Sequence, residues 1–170
     1  AGYNNAYQIG QSAGHRVNMW QMFHGARVLR IVLANARAHE PAAVRSWDGD
    51  ARGHWEGNTL VVDTTNYNGK GWIATSAATG RIKGIPQSEA LHVVERFTRI
   101  SEGTIQYEVT IDDPNVYTQP WKVVIPLTRD PEYVLYEYAC QEGNQAVENI
   151  LRGGRAQAAG SDDEHPGRRE

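Results

Sequence analysis

The sequence predicts an all-β fold: an antiparallel meander closed into a lipocalin-like β-barrel, with a short C-terminal helix. Three observations predict it. Apolar residues recur with period two along most of the chain, as in Thr104-Ile105-Gln106-Tyr107-Glu108-Val109-Thr110-Ile111-Asp112. The apolar runs are rich in β-branched and aromatic residues, which pack well on a pleated surface. Short stretches of turn chemistry separate most of the runs, so neighbours pair antiparallel, and closure removes the exposed edges such a sheet would have. A two-sheet β-sandwich is the alternative that the same pattern allows.

Taken in order, residues 7–10 read as a short strand, 17–23 as a second and 27–33 as a third. Residues 33–44, rich in Ala, Asn, His, Glu and Pro, read as a loop with room for a short helix. In 54–65, Gly57-Asn58 sits between two strand-like runs; both residues tolerate positive φ, as a two-residue hairpin loop needs. Residues 66–88 form a long connection, which in a compact domain is usually functional or disordered, and Trp72, Ile73 and Ile85 are placed to pin it to the body as a lid. The pattern then sharpens: a strand over 90–100, a turn at Ser101-Glu102-Gly103, and a returning strand over 104–112. Asp113-Pro114-Asn115 breaks it. The next strand, 120–127, contains Pro126, which cannot donate to a ladder and so belongs at an edge, an end or a bulge. Residues 129–132 turn the chain into a last strand over 134–140. A helix is expected over 144–152, capped by Asn144 and stopped by Gly153-Gly154. Residues 1–154 therefore read as a single β-barrel domain and 155–170 as a flexible polar tail.

Composition narrows the function classes. A net charge of −3, with no Lys/Arg run, argues against a nucleic-acid partner, whose phosphates need a basic face. No run of roughly 18 apolar residues is present, so no membrane span is expected. No basic start followed by an apolar run marks a signal peptide. With one cysteine, Cys140, no internal disulfide can form, and Cys140 reads first as a small buried hydrophobe. Five Trp and eight Tyr against two Phe suit strand faces, pocket walls and interfaces.

Alternation sorts the faces. Leu91, Val93, Glu95, Phe97 and Arg99 share one side of their strand, and Ile105, Tyr107, Val109 and Ile111 one side of the next. If these sides face inward, Glu95 lies among apolar neighbours, either as a general acid or base with a raised pKa or in a salt bridge to an Arg. Glu137, with Glu142 nearby, sits near a strand end, as a mouth carboxylate or a solvated rim. His24 is the best catalytic candidate by residue type, since imidazole titrates near neutral pH, although a His at a hairpin end is often structural. Arg52, Trp55 and Trp121 suit a flat or sugar-like ligand, and Trp121 suits equally a plug at the barrel base. His15, His39, His54 and His92 show no metal-ligand spacing, so no metal site is indicated. Hydrolase elbow, phosphate loop and dinucleotide motifs are missing.

Several motifs carry a resemblance. Trp55-Glu56-Gly57-Asn58-Thr59-Leu60-Val61-Val62-Asp63-Thr64-Thr65-Asn66, Glu89-Ala90-Leu91-His92-Val93-Val94-Glu95-Arg96-Phe97, Asp112-Asp113-Pro114, Tyr117-Thr118-Gln119-Pro120-Trp121 and Glu137-Tyr138-Ala139-Cys140-Gln141-Glu142-Gly143-Asn144 are similar to a family of bacterial proteins of uncharacterised activity, generally predicted to be secreted. The resemblance covers residues 7 to about 152 and implies a secreted or periplasmic setting but no activity. Family members carry a further N-terminal segment with a Cys-Leu-Pro or Cys-Ile type stretch, so this chain starts as a fragment or processed form would. It departs at Asn58, where Asp is common, at Gln119, where Lys is common, and throughout 70–88.

The expected function is binding of a small organic ligand inside the barrel, extending to a cofactor-independent lyase, isomerase or cyclase reaction by proton transfer. His24 and Glu95 are the acid–base candidates, Arg52 the anchor, Trp55, Tyr107 and Trp121 the walls, and Glu137 a further ligand contact. The alternative is a non-enzymatic structural or self-association module, a homo-oligomer joined through strand edges and surface Trp/Tyr.

Overall fold

Period-two patterning becomes strands wherever one side of the run finds something to pack against. The computed structural model describes residues 6–20, 25–31, 38–73, 84–136, 143 and 145–162. Within the unit Ala1–Tyr136 lie β1 (Tyr7–Ser12), β2 (His15–Trp20), β3 (Ala26–Ile31), β4 (Asp50–Glu56), β5 (Thr59–Thr65), β6 (Trp72–Ile73), β7 (Ile85–Pro86), β8 (His92–Arg99), β9 (Thr104–Asp112) and β10 (Trp121–Thr128). A second unit, Glu137–Glu170, holds the helix α1 (Ala146–Asp162).

Eight strands form one sheet in the order β1-β2-β3-β4-β5-β8-β9-β10, curled strongly into a half-barrel, while β6 and β7 pair separately. It is one curled sheet rather than a stacked pair, with β1 and β10 as its edges among the described strands. Pro126 lies on β10, at an edge where its missing N–H can face away from the ladder. The expected uninterrupted antiparallel meander is broken once: β3 and β4 run parallel, through Arg30↔Arg52 and Ile31↔Gly53. The chain between Ile31 and Asp50 is long enough to return to the same end of the sheet, as a parallel pairing requires.

Turn chemistry sets the register. Glu56 pairs with Thr59 across Gly57-Asn58, and Gly57 takes the positive φ, 59°. Ala13-Gly14 makes a second two-residue loop, with Gly14 at φ 73° and Ser12 opposite His15. That turn starts β2 at His15, ahead of the strand expected from 17, and so brings Arg16 into the sheet. The β8–β9 turn falls where expected but Gly103 is not in the positive-φ region; the Ile100 and Ser101 amides both donate to the Thr104 carbonyl, at 3.1 and 3.3 Å.

Two expectations are corrected in the C-terminal part. Residues 133–136 form no strand, and 137–140 lie outside the described residues. Val134 and Tyr136 are about two-thirds exposed, so nothing holds them to a sheet, and the Tyr133 and Tyr136 rings meet edge-on at 5.9 Å, too close for residues three apart on an extended strand. The helix passes through Gly153-Gly154 and ends at Asp162. Each Gly costs about 1 kcal/mol relative to Ala, and the Arg-Ala-Gln-Ala-Ala segment that follows is made of strong helix formers.

The core sits on the concave side. Leu29, Ala51, Leu60, Val62 and Phe97 form one buried cluster, with Ile31, Ile105 and Tyr107 against it. Tyr67, Leu91 and Val93 form a second, with Ile73, Val109 and Ile111. Of the three residues expected to pin the 66–88 connection, Ile73 is packed, whereas Trp72 and Ile85 are exposed; residues 74–83 lie outside the described residues.

Candidate ligand-binding site on the concave face

Register places Arg16 and Asn18 of β2, Arg27 and Leu29 of β3, Leu60, Val62 and Thr64 of β5, Glu95 and Phe97 of β8, and Tyr107 of β9 on one face. Polarity is inverted along β2 and at Arg27-Val28 of β3, whereas Leu29 and Arg30 follow the ordinary pattern. Met19 and Val28 are exposed, at 41% and 57%, while Arg16 and Asn18 are buried, at 5% and 9%. A strand that merely packed a core would do the reverse.

Glu95 is the hub, 5% exposed. Its Oε2 accepts from Arg27 Nη1 at 2.6 Å and its Oε1 from the Tyr107 hydroxyl at 2.9 Å. Arg27 Nη2 donates to Thr64 Oγ1 at 2.6 Å. β3 and β8 are three strand spacings apart, about 14 Å in a flat sheet, so the curl is what lets these side chains meet. The intervening strand β4 puts Ala51, Gly53 and Trp55 on this side, and the small Ala51 and Gly53 leave room for Leu60 and the rest of the core cluster to pack above them. Arg16 lies with its guanidinium carbon 4.0 Å from the centroid of Phe97, a cation–π arrangement, and Phe97 stacks on Tyr107 at 4.8 Å.

The cluster is not saturated. Arg16 Nε and Nη2, Arg27 Nε and Asn18 Oδ1 are buried with no hydrogen-bond partner among the described residues. Among the described residues, two guanidinium charges, Arg16 and Arg27, lie near one buried carboxylate, Glu95, which is paired with Arg27. Burial lowers the pKa of Arg16, and Glu95 only partly opposes this. For Arg27 burial acts downward too, but the Glu95 carboxylate against it wins and raises the pKa. Burial, then Glu95, pushes the Tyr107 hydroxyl far up, so it stays a donor. Burial also pushes Tyr67 up to about 12.

The convex face carries a different constellation. Asp63 accepts from His39 Nε2 and His92 Nε2, each at 2.7 Å, one on either oxygen. His39 Nδ1 lies 3.1 Å from Asp50 Oδ2, which also accepts from Arg52 Nε at 3.0 Å and the Glu40 amide at 2.9 Å. Arg52 Nη2 reaches Glu40 Oε1 at 3.1 Å. Burial would raise the Asp50 pKa, but the Glu40 amide, Arg52 and His39 together hold it below the usual carboxylate range. Asn66, at φ 60°, donates to the Glu40 and Pro41 carbonyls, so the 38–41 segment is tied across β4 and β5. Among the described residues no three His, Cys, Asp or Glu side chains are grouped to hold a metal ion.

Of the residues singled out from sequence, the structure brings Glu95 and Tyr107 together. The salt bridge to an Arg, one of the two readings for Glu95, is present as the contact to Arg27. Trp55 shares the concave side of β4 but is half exposed, and Trp121 shares that of β10, edge-on to Tyr117 at 5.6 Å. Arg52 is on the opposite face, among Asp50 and Glu40. His24 and Glu137 lie outside the described residues, as do Cys140 and Glu142. Sequence reasoning missed Arg16, Asn18, Arg27, Thr64 and Tyr67; the alternation of Arg16 and Asn18 with Val17 and Met19 was a signal, but polarity alone turns it the wrong way out.

Searched against family models, curated proteins and solved structures, the chain matches none of them. No helix among the described residues is long and apolar enough to cross a membrane.

Proposed function

We propose that the protein binds a small organic molecule on the concave face of its curled sheet, used as the wall of a lipocalin-like container, in a secreted or periplasmic setting. The inverted polarity of β2 and of Arg27-Val28 on β3 carries this reading: buried polar groups are normally paired, and those of Arg16, Asn18 and Arg27 are paired only in part among the described residues. The same face carries the apolar cluster of Leu29, Leu60 and Phe97, with Ile105 against it and Arg16 over the Phe97 ring, the mixture of apolar wall and few polar groups that ligand sites favour. The setting rests on the sequence resemblance alone. Proton-transfer chemistry at Glu95 would require a ligand to draw it away from Arg27, so binding comes first in either case.

The test is titration with 1-anilinonaphthalene-8-sulfonate, followed by fluorescence and by backbone amide shifts. The expected outcome is saturable one-to-one binding, with shifts concentrated at Arg16, Val62, Glu95 and Tyr107. Absence of saturable binding, or shifts centred on His39 and His92, would overturn the proposal.

The self-association reading draws on a separate observation: Val147, Ile150 and Leu151, spaced along one side of α1, are 69%, 72% and 53% exposed. Light scattering across a concentration series tests it, and a monomer at every concentration removes it.

A further inference from the structure

We infer that the molecule seated on the concave face is an organic carboxylate with an apolar body, held by the side-on fork of Arg16. The inference rests on the concave-face reading and names the ligand class. Three features of the cluster converge on it.

The first is charge. Glu95 is paired with Arg27 and acts on Arg16 only through space, so among the described residues the buried charge of Arg16 has no ion-pair partner. A neutral ligand would leave that imbalance in place, whereas a monoanion removes it. The second is the geometry of the unused donors. Arg16 Nε and Nη2 form the long edge of the guanidinium, whose two parallel N–H groups match the two oxygens of a carboxylate. Arg27 cannot offer the same edge, since its Nη1 and Nη2 are committed to Glu95 and Thr64, leaving Nε alone. Arg27 with Glu95 is thus the fixed frame, and Arg16 the adaptable arm.

The third is what holds Arg16 at present. Its guanidinium rests on the Phe97 ring, and the Nε and Nη2 atoms are sealed from solvent. A cation–π contact is a modest interaction compared with a bidentate ion pair in a desolvated site. An incoming carboxylate exchanges one for the other and frees the Phe97 face, already stacked on Tyr107, to pack against the ligand's apolar body. Asn18 Oδ1, buried and unpartnered, adds an acceptor for a hydroxyl or N–H on the same molecule.

The experiment is calorimetric titration of the full chain with 2-naphthoate and with 2-naphthamide, which share size and shape and differ in charge. Naphthoate is expected to bind at least about tenfold more tightly, the difference of one charge-assisted pair. In Arg16→Met the two should bind within a few-fold of each other; in Arg16→Lys, which keeps the charge and loses the fork, the preference should fall to an intermediate value. Circular dichroism identifies any variant that fails to fold, and the wild-type preference stands as a test without the variants. Equal affinity of wild type for the two probes would overturn the carboxylate inference while leaving the concave-face site intact. Saturation by neither would remove both.

Discussion

The two faces of one sheet treat charge in opposite ways. On the convex side each carboxylate of the cluster is shared among several donors: Asp63 by two imidazoles, and Asp50 by His39, Arg52 and a backbone amide. One nitrogen there, Arg52 Nη1, is left over. On the concave side the one carboxylate, Glu95, pairs with Arg27 and not with Arg16, and among the described residues three guanidinium nitrogens are left over. The convex network ties the 38–41 segment to β4 and β5, which is a structural task that ends once the bonds are made. The concave cluster keeps donors in reserve. Completeness of pairing, rather than the number of charged residues, separates the two faces, and it is what the ligand proposal for the concave one rests on.

The sharpest way to break this comparison is to remove the concave carboxylate. Glu95→Ala strands Arg16 and Arg27 in a buried site and should destabilise the protein by about 3–5 kcal/mol in urea unfolding. Adding Arg16→Met and Arg27→Met to it should recover most of that loss, because an apolar replacement of a buried charge cluster is often neutral. A cost for Glu95→Ala no larger than for a convex carboxylate would erase the distinction between the faces.

A middle-sized effect lies at alkaline pH. The Tyr67 hydroxyl ionises at 10.0 in its ordinary state but is pushed up to about 12 by burial. The fold therefore holds that proton more tightly than the unfolded chain does. The contribution is fully present below pH 10 and is lost as pH rises through about 12, amounting to about 2–3 kcal/mol. Tyr67→Phe should make this part of the stability profile shallower, with the raised Tyr107 hydroxyl supplying the rest of the slope; an unchanged alkaline limb would show that burial of this hydroxyl is not what the fold loses. The smallest effect is expected on the convex side. Asp63→Asn weakens two hydrogen bonds to half-exposed imidazoles and should cost about 1 kcal/mol, with ligand affinity unchanged. Loss of binding in that variant would place the site on the wrong face.

Much of the sheet was legible in the sequence because its signals are local. Alternation in 104–112 gave β9 to the residue, Gly57-Asn58 gave its hairpin, and the face shared by Val93, Glu95 and Phe97 was readable from spacing alone. The site was legible by halves. Glu95 and Tyr107 lie on adjacent strands joined by a short turn, so pattern could pair them. Arg27 reaches Glu95 from 68 positions away, over two intervening strands, and only the curl makes that contact. Arg16 was hidden further by the Ala13-Gly14 turn, which was not recognised, so its strand was started too late. His39, Asp63 and His92 follow no ligand spacing because a loop, not a regular element, delivers His39.

The parallel seam between β3 and β4 has a consequence for motion. Among the described residues it rests on two registered pairs, where the other ladders of the sheet have five to eight. The sheet is in effect two hairpin blocks buttoned along a narrow join, and amide protons at Arg30, Ile31 and Gly53 should exchange with solvent sooner than those inside either block. The Arg27–Glu95 contact straddles that join like a clasp. A group that drew Glu95 away from Arg27 would leave the join held by the strand pairing alone.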